Sequence, residues 1–221
     1  MRKDSFSFHN NKYWRRLCFF LALLLPVFLF LDIFYLRYAT FSSGLKFMSI
    51  VLLFLAQCLW GETERGWWKA AAGLTILTDY LLLFTDCYEW GIFFFNVVHF
   101  FRYVERKRGE DDRALYFAGI SGVGLMFLLS RYVSWQTALA AAYGLFLFLN
   151  TWEAFRSGNR ELALAYCLFW GCDICVGVAN VLSPGLIATI SRKLIWLFYL
   201  PSQILLADHI IGPPRRGLKA T

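Results

Sequence analysis

Apolar residues follow one another along this chain in long blocks that are separated by short polar breaks. Most of the eight blocks are close to the ~20 residues that a helix needs to cross a bilayer. Every backbone polar group in hydrocarbon must be satisfied within the chain, so blocks of this length predict helices. The blocks are residues 17–36, 45–60, 67–85, 90–104, 114–130, 135–155, 161–182 and 190–211.

This pattern predicts an all-α, polytopic membrane protein with eight transmembrane helices. The breaks leave no room for a soluble domain, so we interpret residues 1–221 as a single integral membrane domain. The eight-helix bundle would cover residues 17–211, with residues 1–16 and 212–221 as the two terminal segments. The compact loops favour a cell membrane location, in a bacterial plasma membrane.

Polar residues recur at intervals of three, four or seven in six of the eight blocks, which places them on one helix face. The third and seventh blocks carry carboxylates on that face, Asp79 and Asp173. A carboxylate at bilayer depth costs about 2.5–3.5 kcal/mol on translocon-type scales, so both are expected to face a polar interior. The other polar stripes are Lys46, Ser49 and Gln57; Asn96, His99 and Tyr103; Gln136, Tyr143, Asn150 and Glu153; and Arg192, Trp196, Tyr199 and Gln203.

The first and fifth blocks lack such a stripe, which suggests a 4+4 pseudo-repeat of two like-oriented halves. Asp79 and Asp173 then occupy corresponding helices at the same depth, about 18 Å from the cytoplasmic side at 1.5 Å per residue. We expect the two carboxylates to meet in an internal cavity. An interhelical hydrogen bond that only stabilises the bundle is the alternative for either residue. Asp32, Asp86 and Asp208 lie near block ends, which favours simple solvation.

The charge distribution predicts the topology. The chain is 59% hydrophobic and has a net charge of +7. All but five of its 22 lysines and arginines fall in segments that are cytoplasmic if the N-terminus is inside. The positive-inside rule therefore predicts that both termini are cytoplasmic. It also explains the basic charge through the lipid bilayer as partner, without nucleic acid.

The six cysteines do not form a recognisable disulfide framework. Cys172 and Cys175 make a C-x-x-C inside the seventh block, without a second ligand pair nearby. Small packing residues in a membrane helix are a better interpretation than a zinc or redox site. No metal or cofactor is expected.

Four short motifs occur in order between residues 40 and 211. They are "GLKFMSIVLLF", "TDYLLLFTDCYEWGIFFFNVVHFFRY", "LFWGCDICVGVAN" and "YLPSQILL". With these motifs the chain resembles the YhhN-like membrane proteins, a family that includes the lysoplasmalogenases. It departs from the family pattern at Phe47, Thr78 and Cys172. The matching positions are Lys46, Asp79, Gly91, His99, Tyr103, Asp173, Tyr199 and Gln203.

The resemblance implies an ether hydrolase that cleaves the vinyl-ether bond of a lysophospholipid substrate, a lysoplasmalogen. The products would be a fatty aldehyde and glycerophosphoethanolamine or glycerophosphocholine. Protonation of the vinyl β-carbon creates an oxocarbenium-like cation that water captures, which requires an acid and a base or anion. Two carboxylates in one low-dielectric pocket supply both. Asp79 and Asp173 are therefore the predicted catalytic residues, in either order.

The remaining motif residues are predicted to bind the substrate. His99, Tyr103, Tyr199 and Gln203 would orient water or the glycerol oxygens. Lys46, together with Arg192, would hold the phosphate. A snorkelling interfacial lysine is the alternative for Lys46, and a satisfied polar histidine is the alternative for His99.

Two other functions fit the same stripes. A proton-coupled transporter also needs paired intramembrane acids, and a non-catalytic lipid-binding membrane protein needs an apolar bundle with a polar centre. Transporter repeats carry Gly or Pro interruptions at corresponding places in both halves. Pro26, Pro184 and Pro201 do not correspond in this way, which argues against the transporter.

Overall fold

The regular structure of the chain is α-helical throughout the part that the computed structural model describes, residues 12–34, 39–61, 66–107 and 112–211. Eight helices lie in these ranges, one for each predicted apolar block, so the all-α prediction is confirmed. The helices are α1 (Lys12–Phe34), α2 (Ala39–Trp60), α3 (Gly66–Phe84), α4 (Tyr88–Lys107), α5 (Asp112–Leu129), α6 (Trp135–Arg156), α7 (Arg160–Val181) and α8 (Leu186–Ile211).

The observed helices differ from the predicted blocks mainly at their ends. α1, α2 and α8 begin several residues before the apolar blocks do. Hydrogen bonding ends a helix, whereas hydropathy only marks where its apolar part lies. The first helix thus takes in residues 12–16 of the predicted N-terminal segment. Residues 1–11 and the predicted tail, 212–221, lie outside the described residues.

Five of the described helices are long and apolar enough to cross a membrane: α1, α2, α6, α7 and α8. Large apolar side chains on them are exposed, for example Phe19 and Phe34 on α1 and Leu186 on α8. Exposed apolar surface of this extent is unusual for a soluble protein and ordinary for a helix that faces lipid. The chain is therefore consistent with a helical membrane protein.

The helices form two compact units. Unit 1 consists of α1, α2, α7 and α8, where α8 packs against the other three helices and α1 against α2. Unit 2 consists of α3, α4, α5 and α6, where α4 packs against the other three and α5 against α6. These units do not coincide with the predicted halves of four consecutive helices. The reason is that α1 and α2, from the first half, pack against α8, from the second.

Capping residues mark the passage from α6 to α7. The Ser157 backbone N–H donates to the Glu153 carbonyl, and Gly158 follows with φ at +67°, a left-handed conformation that glycine adopts without strain. The Asn159 side chain then accepts from the Leu162 N–H and caps the start of α7. Unit 2 ends and the second part of unit 1 begins at this point.

Glycines allow close packing within each unit. A Cβ at Gly122 of α5 would lie 2.5 Å from the ring of Phe146 on α6. A Cβ at Gly171 of α7 would lie 3.0 Å from the ring of Phe198 on α8. Small residues at such contacts are typical of helix pairs in membranes, because they bring the two helices close.

Candidate functional site

Buried Lys46 and partly buried Asp32 form an ion pair in unit 1. The Lys46 Nζ lies 2.6 Å from Asp32 Oδ2, and the two side chains are 9% and 18% exposed. The Ser42 hydroxyl donates to the other carboxylate oxygen, Oδ1, at 2.7 Å. Ser42 and Lys46 are one turn apart on the same face of α2, so both reach the last turn of α1. The Asp32 carboxylate is thus held by an ammonium and a hydroxyl from one helix.

A second lysine reaches Asp32 from α8. The Lys193 Nζ donates to the Asp32 backbone carbonyl at 2.8 Å. Carbonyls in the last turn of a helix lack partners in its own ladder and carry the negative end of the macrodipole, so a cation there is stabilised. Two ammonium groups and one carboxylate make this cluster positively charged. We call Asp32, Ser42, Lys46 and Lys193 the lysine cluster.

An aromatic row on α8 extends inward from the lysine cluster. The Lys46 Nζ lies 5.7 Å from the ring centroid of Trp196, within cation–π range. Trp196 contacts Tyr199 edge-to-face at 5.1 Å, and Tyr199 contacts Phe169 of α7 in the same way at 5.6 Å. Gln203, one turn beyond Tyr199, is also buried. The structure therefore connects Lys46 with Tyr199 through one ring, on the buried face that the sequence predicted for α8.

Two sequence interpretations need correction here. Arg192 is exposed and its Nη2 donates to the Ala179 carbonyl at 3.3 Å, so Lys193, and not Arg192, joins Lys46. Arg192 and Trp196 are four residues apart, and this interval predicts that they share one helix face. Lys193 points about 100° away from Arg192, because it is the adjacent residue on the helix. Asp32 is not simply solvated, since it is the counter-ion of Lys46. Lys46 itself is buried rather than snorkelling.

One signal in the sequence could have identified Asp32. A lysine inside an apolar block requires a counter-ion, and Asp32 is the only acid of the first block. The first two blocks are neighbours in the chain, and their short connection puts Asp32 and Lys46 at the same end of a helical hairpin. Asp208 was also assigned to solvent, yet it accepts from the Trp14 indole N–H at 2.7 Å.

Asp173 lies on α7 in unit 1 and is partly buried. Cys172 and Cys175 beside it are buried, in keeping with the packing role predicted for them. Within the described residues no group of three or more His, Cys, Asp or Glu side chains could hold a metal ion.

Asp79 lies on the buried face of α3 in unit 2 and is 4% exposed. The hydroxyls of Thr75 and Thr78 share this face and donate to the carbonyls of Ala71 and Leu74, one turn earlier on α3. Asp79 follows the first residue of α3 at the same interval at which Asp173 follows the first residue of α7. The position of each carboxylate along its helix therefore matches the expectation.

The polar stripes of α4 and α6 pack together in unit 2. His99 is fully buried, and its ring contacts Tyr143 edge-to-face at 5.2 Å. The Asn150 side-chain amide donates to the His99 carbonyl at 2.8 Å and to the Phe146 carbonyl at 2.9 Å. Tyr103 is buried and packs in a cluster with Phe146. His99 and Tyr103 thus face α6 among aromatic rings and one amide.

Buried cations on α4 were missed by the sequence analysis. Arg102 and Lys107 were counted with the basic cytoplasmic segments, but both side chains are buried. The Arg102 guanidinium lies 5.8 Å from the ring centroid of Trp68 on α3. Lys107 Nζ pairs with Glu153 Oε2 of α6 at 3.0 Å. Arg102 follows His99 by one turn, so the helical interval itself would have assigned it to the polar stripe.

The seven predicted site residues are divided between the units. Unit 1 holds Lys46, Asp173, Tyr199 and Gln203, and unit 2 holds Asp79, His99 and Tyr103. That Asp79 and Asp173 act as a pair stays a prediction. Comparisons with models of known protein families, with curated proteins and with solved structures find no match to this chain.

Proposed function

We propose that the protein is a YhhN-like, lysoplasmalogenase-type membrane hydrolase that cleaves the vinyl-ether bond of lysoplasmalogens. The observation that carries this proposal is the burial of Asp79 on the apolar helix α3, where it is 4% exposed. An ionisable residue in such a position is costly, and function is the ordinary reason for its presence. The motif resemblance then selects the chemistry.

The reaction needs a proton and a water molecule, and no redox partner. A carboxylic acid protonates the β-carbon of the vinyl ether, and the cation that develops on the α-carbon is captured by water. The hemiacetal then collapses into a fatty aldehyde and the glycerol hydroxyl of the glycerophospho-base. Asp79 and Asp173 are assigned to proton donation and to activation of water.

The binding roles are assigned from the polar residues of each unit. Lys46 holds the phosphate, and Tyr199 and Gln203 continue the same buried face of unit 1 toward the glycerol oxygens. His99 and Tyr103 orient water or substrate oxygens in unit 2. The contact of Lys46 with Trp196, and of Trp196 with Tyr199, supports this order along α8.

We also propose that all eight helices span the membrane, with both termini in the cytoplasm, in a bacterial plasma membrane. Five sufficiently apolar helices support the spans. The concentration of lysines and arginines in alternate connections supports the orientation.

Purified protein in detergent, incubated with a lysoplasmalogen and assayed for fatty aldehyde, tests the proposal. The wild type is expected to release aldehyde, and Asp79→Asn and Asp173→Asn should each lower the rate by about 10²–10⁴-fold, the usual contribution of general acid–base catalysis. Asp86→Asn is the matched control, because Asp86 is an exposed aspartate in the turn after α3. Wild-type protein that releases no aldehyde across several pH values would refute the enzyme.

A further inference from the structure

We propose that Lys46 and Lys193 together form a phosphate subsite in unit 1, and that Asp32 competes with the bound phosphate for the Lys46 ammonium. The inference deepens the proposed function, in which only Lys46 binds the phosphate. It adds a second cation and an internal competitor, and it concerns the affinity for phosphate-bearing ligands.

Helices α2 and α8 each bring a lysine to Asp32 of α1. Lys46 from α2 contacts the Asp32 carboxylate at 2.6 Å, and Lys193 from α8 contacts the Asp32 carbonyl at 2.8 Å. Both ammonium groups are therefore within hydrogen-bond distance of the same residue. A phosphate has several oxygens and up to two negative charges, so it can accept from two ammonium groups that meet at one residue.

The lysine cluster carries an excess of positive charge. The described contacts give it two ammonium groups and one carboxylate. Asp32 and Lys193 are partly buried, and a bound anion would offset the excess charge there. The charge of the cluster therefore favours an anionic ligand such as phosphate.

Both lysines lie near the end of unit 1 that holds Asp32. Lys46 and Lys193 lie about two turns inside the starts of α2 and α8, and Asp32 lies in the last turn of α1. Side chains on a helix lean toward its N-terminus, so both lysines extend toward that end. If the helices span a bilayer, this end of unit 1 is the one closer to the lipid phosphates of that leaflet.

Asp32 already accepts from the donors that a phosphate would use. Its carboxylate takes the Lys46 ammonium and the Ser42 hydroxyl on its two oxygens. A phosphate oxygen accepts the same two donors. A phosphate that binds Lys46 must therefore displace Asp32 from the Lys46 ammonium or share the ammonium with Asp32. Asp32 thus lowers the affinity for phosphate.

The test is lipid binding by the purified full-length protein in dodecyl maltoside. Lysophosphatidylethanolamine is titrated against a monoacylglycerol with the same acyl chain but no phosphate, and binding is followed by the rise in unfolding temperature and by native mass spectrometry. Wild-type protein is expected to bind the phosphate-bearing lipid at least tenfold more tightly. Lys193→Gln should abolish that preference, and Asp32→Asn should increase it at least threefold. Lys12→Gln, at the other end of α1, should leave it unchanged.

Lys46 is tested in a double variant. Lys46→Gln alone leaves the partly buried Asp32 carboxylate without its ammonium, so Asp32→Asn/Lys46→Gln is used because it removes both charges of the pair. Loss of the preference for phosphate in this variant supports the subsite. The subsite is refuted if Lys193→Gln and the double variant bind both lipids as the wild type does. Weaker binding in Asp32→Asn refutes the competition.

Inorganic phosphate distinguishes the possible sources of the ligand. If it displaces the lysolipid from the wild type, the subsite accepts any phosphate group. If it does not, while the lysolipid preference still depends on Lys193, the subsite is selective for a lipid headgroup. If the unfolding temperature of Lys193→Gln falls by the same amount with and without lipid, the lysine contributes to stability only. That result refutes the proposal.

The binding readout separates this inference from the hydrolase proposal. Wild-type protein that prefers the phosphate-bearing lipid but releases no aldehyde from a lysoplasmalogen would refute the enzyme and leave the subsite standing. Aldehyde release by a protein whose lipid binding does not depend on Lys193 would support the enzyme and refute the subsite.

Discussion

Two buried lysines among the described residues pair with acids of other helices. Lys46 of α2 pairs with Asp32 of α1, and Lys107 of α4 pairs with Glu153 of α6. In such a pair the desolvation of the charges is offset by their attraction, and the loss of one partner exposes the cost of the other. The sequence indicates Asp32 as the partner of Lys46, because it is the only acid of the neighbouring block. It does not indicate Glu153 as the partner of Lys107, because these residues lie on helices that are not neighbours in the chain.

Replacing Lys46 by alanine should destabilise the protein by up to about 3 kcal/mol, because the partly buried Asp32 carboxylate then lacks its cation. The double variant Asp32→Ala/Lys46→Ala should cost clearly less, since it removes both charges. The measurement is the free energy of unfolding in mixed detergent micelles.

The control for this comparison is Lys12→Ala, because Lys12 is exposed at the start of α1. It should leave the free energy of unfolding nearly unchanged. A double variant that is as unstable as Lys46→Ala would contradict the account of Lys46 and Asp32 as an ion pair.

At the scale of helices, hydropathy predicts where a helix lies and packing decides how close its neighbour comes. α5 and α6 approach each other at Gly122, where Phe146 fills the space that a side chain would need. Phe146 in turn packs with Tyr103 of α4, one of the predicted site residues. A small change on α5 is therefore expected to affect the packing around Tyr103.

Gly122→Ala should destabilise the protein by about 1–3 kcal/mol, the usual range for overpacking a close contact. The added Cβ would lie 2.5 and 2.7 Å from two atoms of the Phe146 ring. Gly124→Ala on the same helix is the matched control, because nothing lies within 4 Å of its Cβ. It should be neutral or stabilising by up to about 1 kcal/mol, since alanine favours the helix. Thermal unfolding of both variants measures the difference, and equal shifts would contradict the close packing.

At the scale of the whole molecule, the distribution of charge predicts which connections face the cytoplasm. The turn around Arg131, between α5 and α6, would be outside, and the turn around Ser157, between α6 and α7, would be inside. This orientation is independent of how the helices pack, because insertion reads the segments in chain order.

A cysteine-labelling experiment tests the orientation. In a variant whose native cysteines are replaced by alanine, Arg131→Cys should react with a membrane-impermeant maleimide on intact cells, and Ser157→Cys should not. Both should react after the membrane is permeabilised, which controls for access. Labelling of Ser157→Cys on intact cells would contradict the predicted topology.

The sequence by itself determined the helices and most of their buried faces. Long apolar blocks and the need to satisfy the backbone are local properties, so eight helices could be assigned, and Asp79, His99, Tyr199 and Gln203 could be placed on inward stripes. Helix ends were less accurate, because capping and the last hydrogen bonds depend on a few polar residues outside the apolar blocks.

The tertiary structure alone decided which helices pack together and which charged side chains meet between helices that are not neighbours in the chain. The grouping of α1 and α2 with α7 and α8 departs from the predicted halves, and it brings Lys193 of α8 to Asp32 of α1. The burial of Arg102 is of the same kind, since it depends on Trp68 of another helix. Periodicity fixes the direction of a side chain from its own helix, whereas its partner is set by contacts between segments that are distant in the chain.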